Sequence, residues 1–237
     1  MKLSQIYLTD IAAPQLPPYL EACTSSLKLS FSSLEYTLYN NQSLRDFIEI
    51  NYDKDTLWAY DKLIPYAYKA DLGRYCLLYK LGGWYFDISI RVMSGITLPE
   101  DIDMLIFRDI PTSSGTSWAC ANGLIYSKKN SAVFETAIKD VIENCRNNYY
   151  GVHSLCPTGP NLFGRALAKH GSSSAIAYGD LIPLTPNHSQ KNLAFILPDG
   201  FLFALLKPTG GGDLTGVGAI GTNNYNELYS KRNIYKG

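Results

Sequence analysis

One stretch restricts the fold of this chain more than any other: KADLGRYCLLYKLGGWYFDISIRV, residues 69–92. Pro65 suits the first turn of a helix running to Leu81, Lys80 complements its C-terminal dipole, and Gly82-Gly83 ends it. From Trp84 to Val92 the period changes to two. Trp84, Phe86, Ile88, Ile90 and Val92 take one face of a strand, and Tyr85, Asp87, Ser89 and Arg91 the other. One side reads as core and the other as chemistry, with the glycines giving a tight return from helix to strand.

The elements before and after fit around this unit. Leu3–Leu8 reads as a strand, Tyr19–Lys28 as a helix after the bend at Pro14, Pro17 and Pro18, and Leu34–Tyr39 as a second strand. Asn40-Asn41 caps a helix holding Leu44, Phe47 and Ile48. Strands alternating with helices predict an α/β fold on a parallel sheet covered on both faces. Further strands are expected at Met104–Phe107, Ala121–Tyr126, Ile176–Leu184, Leu193–Leu197 and Phe201–Leu206. Ser131–Arg146 is an amphipathic helix, Pro160 starts another that Gly171 ends, and a terminal helix follows a Gly-rich segment. A length of 237 residues suits one domain, with 210–237 as a glycine-rich lid and tail.

Charge and composition narrow the function classes. Lys plus Arg (21) balances Asp plus Glu (21), so no global field draws the chain onto nucleic acid. No apolar run approaches the roughly 20 residues of a membrane span. The N-terminus reaches Asp10 before an apolar signal region forms, so a cytoplasmic protein is expected. The five cysteines lack any CxxC spacing and read as buried thiols. His153, His170 and His188 lack ligand spacing. Gly216–Gly221 matches GxGxxG in letters, but neither a helix nor an acidic residue about twenty positions on accompanies it, so it is not a dinucleotide fingerprint.

Asp71 and Arg74 stand three apart, on one helix face. Such a pair offers a sugar both acceptor and donor in fixed geometry, or is a plain surface ion pair. Asp87, on the polar face of the following strand, is placed to engage a nucleotide-bound divalent cation. The pattern Asp-x2-Arg followed by Gly-Gly-x-Tyr-x-Asp, on Asp71, Arg74, Gly82, Gly83, Tyr85 and Asp87, resembles the DXD-containing sugar transferases. That family includes initiating mannosyltransferases, capsule and lipopolysaccharide transferases and, more distantly, clostridial glucosylating toxins. Gln5-Ile6-Tyr7 stands where the family has its first strand motif, and Asn122-Gly123 and Thr158-Gly159-Pro160 are weaker echoes.

The resemblance implies a GT-A fold, a Rossmann-like nucleotide half continuous with an acceptor half. It also implies that Tyr7 stacks on the donor base, that Asp71 and Arg74 grip the donor sugar, and that Asp87 engages ribose or metal. Gly82, Gly83, Tyr85, Asn122 and Gly159 complete the donor set, with Asp87 and Arg74 as the catalytic pair. The cofactor implied is Mn²⁺ or Mg²⁺. Two departures bear on it. Ser89 replaces the second Asp of the motif, and KPTGGGDLTG stands in place of the family's C-terminal His/Trp motif. There Lys207 can supply charge to the diphosphate and Asp213 a metal ligand, joining Asp87 and Ser89, or the segment is a solvated loop. The expected function is retaining transfer from a UDP-linked sugar to a glycan or lipid-linked glycan, in capsule or lipopolysaccharide assembly. Peripheral contact with the inner face of the plasma membrane goes with such an acceptor. A toxin-like protein glycosyltransferase and a non-catalytic sugar-nucleotide binder remain as alternatives.

Overall fold

The computed structural model describes residues 1–11, 15–170, 175–184, 193–207 and 214–237. The elements run β1 (Lys2–Ile6), α1 (Pro18–Ser30), β2 (Glu35–Tyr39), α2 (Asn41–Asn51), α3 (Lys54–Lys62), α4 (Tyr66–Leu81), β3 (Gly83–Phe86) and β4 (Arg91–Val92). The second half adds β5 (Met104–Arg108), α5 (Pro111–Ser114), β6 (Cys120–Ser127), α6 (Ala132–Arg146), α7 (Pro160–His170), β7 (Ile176–Pro183), β8 (Leu193–Ile196), β9 (Leu202–Leu205) and α8 (Tyr225–Ser230). Local chemistry accounts for several boundaries. The Asn40 side chain accepts from the Ser43 amide at 2.9 Å while the Ser43 hydroxyl accepts from the Asn40 amide, a reciprocal cap that starts α2. Asp53 caps α3 through the Thr56 amide and hydroxyl. That helix is absent from the sequence expectations, although an Asp followed three residues later by Thr was its signal.

Among the described residues the strands form one nine-stranded sheet in the order β2-β1-β3-β6-β5-β7-β8-β9-β4. The expectation of a parallel sheet is corrected to a mixed one. β1 is parallel to β2 and β3, and β5 to β7, while the remaining pairs are antiparallel. The reason lies after β3: β6 runs antiparallel between β3 and β5, and β7, β8 and β9 form a meander on the far side.

The expected strand Trp84–Val92 is also corrected. The chain leaves β3 after Phe86, and the Asp87 carbonyl accepts from the Ile90 amide at 3.0 Å in a turn. β4 then pairs with β9 at the opposite edge of the sheet. In a flat sheet those positions would lie about 29 Å apart, at roughly 4.8 Å per strand. The five chain steps from Phe86 to Arg91 span at most about 18 Å. The sheet therefore curls until its last strand returns beside its third.

The curl is filled by aromatic packing. Phe203 of β9 lies 5.8 Å from Trp84, 6.0 Å from Phe86 and 6.3 Å from Phe107, ring to ring. A second core lies on the other face, where α4 is buried around most of its circumference between β1, β3 and α6. Gly73 permits this close approach, since a Cβ there would come within 2.7 Å of Leu44. At the α4–β3 turn, Gly82 (φ 62°) and Gly83 (φ 87°) adopt left-handed conformations, and a Cβ on Gly83 would collide with the Lys2 carbonyl. All five cysteines are buried free thiols, as expected.

Candidate active site

The C-terminal end of β3 and the middle of α4 face one another across two adjoining cavities. The larger holds about 520 Å³, within the range of small-molecule sites, and the smaller about 120 Å³. Ala67, Arg74, Asp87, Ser89 and Lys207 line both, so these residues mark the junction. Tyr7, just beyond β1, lines the smaller chamber with Leu214 and Asn223. Asp71, Asn122 and Gly159 line the larger.

Arg74 organises the junction. Its Nε donates to the Ala70 carbonyl (3.1 Å), and Nη1 donates to the Asn122 carbonyl (2.7 Å) and lies 3.0 Å from Asp87 Oδ1. Nη2 lies 3.2 Å from Asp71 Oδ1. The two carbonyls are held by hydrogen bonds and the two carboxylates as ion pairs. The guanidinium also stacks over the Tyr85 ring at 4.7 Å, and the Tyr85 hydroxyl donates to Asp87 Oδ1 at 2.8 Å. Burial works against the charge on Arg74, but Asp87, Tyr85 and Asp71 outweigh it and raise its pKa above the ordinary guanidinium value.

Asp71 is held just as firmly, by residues far away in sequence. Its Oδ1 accepts from Asn122 Nδ2 (2.9 Å) and its Oδ2 from the Thr158 hydroxyl (2.7 Å). Asn122 Nδ2 also reaches the Tyr75 hydroxyl, which donates to the Thr158 carbonyl at 2.8 Å. Burial raises the Asp71 pKa, and Arg74, Thr158 and Asn122 oppose the rise. Each oxygen of this carboxylate thus accepts one hydrogen bond, and Oδ1 also faces Arg74. Asp87 differs. Both contacts above fall on its Oδ1, while Oδ2 has no hydrogen bond to the described residues, and the side chain is 35% exposed to the chambers. Gly123 makes room for it, since a Cβ at that position would stand 2.5 Å from Oδ2.

The structure thus brings Tyr7, Asp71, Arg74, Tyr85, Asp87, Ser89, Asn122 and Gly159 around the two chambers. Gly82 and Gly83 are not among them. They sit at the opposite end of β3, where a Cβ would strike the backbone of Lys129 and Lys2, and they line neither chamber. Asp213 and His188 lie outside the described residues. His153 lines the larger chamber, with its Nδ1 accepting from the Leu155 amide, and His170 Nε2 meets the Thr136 hydroxyl at 2.7 Å. The C-terminal residues enter the site as well: Tyr225 packs on Tyr68, and Asn226 accepts from the Ser154 hydroxyl at 2.8 Å.

Residues 17–112 match the family model described as the glycosyltransferase sugar-binding region containing DXD motif. Over these residues the chain is similar to that sugar-binding region. A curated relative, the uncharacterized glycosyltransferase L373 of Acanthamoeba polyphaga mimivirus, is 28% identical over 127 residues, covering 54% of this chain and 48% of that protein. The chain spans about half the length of that relative. The solved PaToxG glycosyltransferase is similar with a TM-score of 0.55, covering 71% of this chain and 69% of that chain at 15% identity, which is a likeness of fold. Asp71, Arg74, Tyr85, Asp87 and Ser89 all fall inside the matched glycosyltransferase region, whereas Tyr7, Asn122, Gly159 and Lys207 reach the same chambers from outside it.

Toward a divalent cation the described residues offer the open Oδ2 of Asp87 and the hydroxyl of Ser89, and Asp213, the third expected ligand, lies outside the described residues. Asp87 has one carboxylate oxygen engaged by Arg74 and Tyr85, and Ser89 is a buried neutral hydroxyl. Among the described residues no group of three His, Cys, Asp or Glu side chains could hold a metal ion.

Asp109 is a site residue that the sequence reading overlooked. It follows the C-terminal end of β5 and lines the larger chamber. An acidic residue just past a strand end was the available signal. Burial raises its pKa to about 6, against a hydrogen bond from the Ile110 amide that lowers it. The folded state therefore binds this proton more tightly than the unfolded state. The contribution to stability is full below about pH 4 and is lost as the pH rises through about 6, by up to about 3 kcal/mol. Asp109→Asn should remove this loss, so its stability advantage over wild type should grow between pH 4 and 7 in denaturant titrations. Parallel pH profiles would overturn the assignment.

Proposed function

We propose that the chain transfers a hexose from a UDP-sugar to a glycan hydroxyl with retention of configuration. In this reading residues 1–237 act as one GT-A-type domain, with a nucleotide-binding half and an acceptor-binding half. The observation that carries it is the junction, where an open carboxylate oxygen on Asp87 and the Arg74 guanidinium stand between two chambers of unequal size. The smaller chamber takes the base against Tyr7, and the junction takes the diphosphate. The sugar sits in the larger chamber against Asp71, Arg74, Asp87, Asn122 and Gly159.

An acceptor hydroxyl then approaches from the rest of that chamber, where Asp109 and Asn226 offer polar contacts and Leu181, Leu193 and Phe195 an apolar wall. The bond from the acceptor oxygen to the anomeric carbon forms as the bond to the phosphate oxygen breaks. The departing phosphate takes the acceptor proton. The protein's contribution is positioning, charge stabilisation and exclusion of water. Capsule or lipopolysaccharide assembly at the inner face of the plasma membrane, with a lipid-linked glycan as acceptor, fits a domain without a membrane-crossing helix among its described residues.

The test is nucleotide release from a panel of UDP- and GDP-sugars, with and without oligosaccharide acceptors, followed by NMR of the product anomer. Release from a UDP-hexose, accelerated by acceptor and giving the donor's anomeric configuration, is expected. Absence of both release and binding across the panel would sink the reading, and an inverted product would sink its stereochemistry.

A further inference from the structure

Asp109 lines the larger chamber at a distance from the junction. β3 and β5 both pair antiparallel with β6, so they run the same way and end on the same side of the sheet. The Asp87 amide donates to the Gly123 carbonyl of β6, and the Asp109 amide to the Ala119 carbonyl. Two strand spacings across and four residues along β6 put these positions about 16 Å apart over the sheet, more than the width of one sugar ring. The Asp109 carboxylate also lacks an internal partner for one of its oxygens. Its Oδ1 accepts from the Ile110 amide at 2.9 Å, while Oδ2 has no hydrogen bond to the described residues. The adjacent Arg108 is engaged by Asp180 at 2.7 and 2.8 Å, and only the Ile110 amide opposes the rise in pKa that burial causes. An enclosed carboxylate oxygen left unpaired by its own protein is costly, and such an atom is an acceptor open to a ligand. Asn226 lines the same chamber; its Oδ1 accepts from Ser154, and its Nδ2 has no hydrogen bond to the described residues.

We propose that Asp109, beside the wall of Leu181, Leu193 and Phe195, selects a neutral sugar ring as the acceptor, with Asp109 Oδ2 accepting from one of its hydroxyls. The inference rests on the nucleotide-sugar reading. A pyranose carries hydroxyls around its rim and C–H groups on its faces. The hydroxyls suit a carboxylate oxygen and an amide N–H, and the C–H faces suit an apolar wall. A hydrogen bond to an ionised oxygen is about twice as strong as one between neutral groups. The same charge acts against a ring that carries a carboxylate or phosphate. Like charges repel, enclosure lowers the effective dielectric between them, and no described residue forms an ion pair with Asp109 to offset this. One carboxylate thus both holds the right acceptor and repels the wrong one.

The test uses the nucleotide sugar that wild-type protein cleaves, at pH 7.5. Acceptors are methyl glucosides, galactosides and mannosides, their monodeoxy derivatives and methyl glucuronide, with wild type, Asp109→Asn and Asp109→Ala compared. Wild type is expected to prefer a neutral glycoside to the glucuronide. Removing one particular hydroxyl should lower its acceptor kcat/KM by about 10- to 100-fold, the worth of a hydrogen bond to a charged group. In Asp109→Ala the parent glycoside should fall by a similar factor, and the same deoxygenation should then cost little, because the contact is already gone. Asp109→Asn should narrow the gap between neutral glycoside and glucuronide, and it supplies the same comparison if Asp109→Ala does not fold. Damage to the fold would lower every acceptor alike and leave the deoxygenation penalty in place. Equal penalties in wild type and variants would overturn the inference. So would transfer confined to water or to serine and threonine peptides, and either result leaves the donor reading intact. Failure of wild-type protein to release nucleotide from any donor or to bind UDP or GDP would remove the donor reading and this inference together.

Discussion

Arg74→Leu is expected to destabilise the protein by about 3–5 kcal/mol, the cost of removing one partner of a buried ion pair. The side chains of Arg74 and Asp71 are only 4% and 9% exposed, so water cannot replace the lost guanidinium. Asp71 would keep Asn122 and Thr158 as donors but lose the charge that offsets its burial. The Asn122 carbonyl and Asp87 would each lose a donor too. For a chain of this size the loss corresponds to a fall in Tm of about 10 °C. The loss should shrink as the pH falls, because Asp71, already raised by burial, would be raised further and could be buried neutral. Asp71→Asn in the same background should recover part of the stability, since an amide leaves no uncompensated charge. A double-mutant cycle in urea reads the coupling, which should exceed about 1 kcal/mol. Additive losses would show that the pair is not an energetic unit.

Asp87→Asn is expected to leave the fold nearly unchanged and to reduce turnover by about 10²–10³-fold, the usual effect of losing one preorganised electrostatic contact. The two sides of this carboxylate do different work. The Asn carbonyl oxygen can still accept from Tyr85 and Arg74, which preserves the internal network on the Oδ1 side. The other atom changes from an open acceptor to an amide donor. Hydroxyls of ribose or sugar that donate to it would lose their partner. Thermal melting within a few degrees of wild type, with collapse of nucleotide release, is the expected pair of results. Full activity would remove Asp87 from the proposed machinery.

The two substitutions separate what was legible in the sequence from what was not. Residues 65–87 were readable because their information is local. A period of 3.6 gives way to a period of two across paired glycines, and the i,i+3 spacing of Asp71 and Arg74 fixes a common face. The prediction overran at Asp87, where the apolar alternation continues through Ile88 and Ile90 although the chain is already turning. Alternation records which residues are buried, not whether a neighbouring strand remains to pair with. Ile88 and Ile90 are buried in separate clusters.

By itself, the sequence determined the helix–glycine–strand unit, the cap that starts α2 and the presence of a carboxylate–guanidinium pair. Only the tertiary structure decided what that pair is for. The donors that hold Asp71 come from 51 and 87 positions away, and Lys207, Tyr225 and Asn226 join the same chambers from the C-terminal part of the chain. Such contacts depend on how a mixed sheet orders and curls its strands. That is set by the sum of many packing and pairing energies across the whole chain rather than by any window of it.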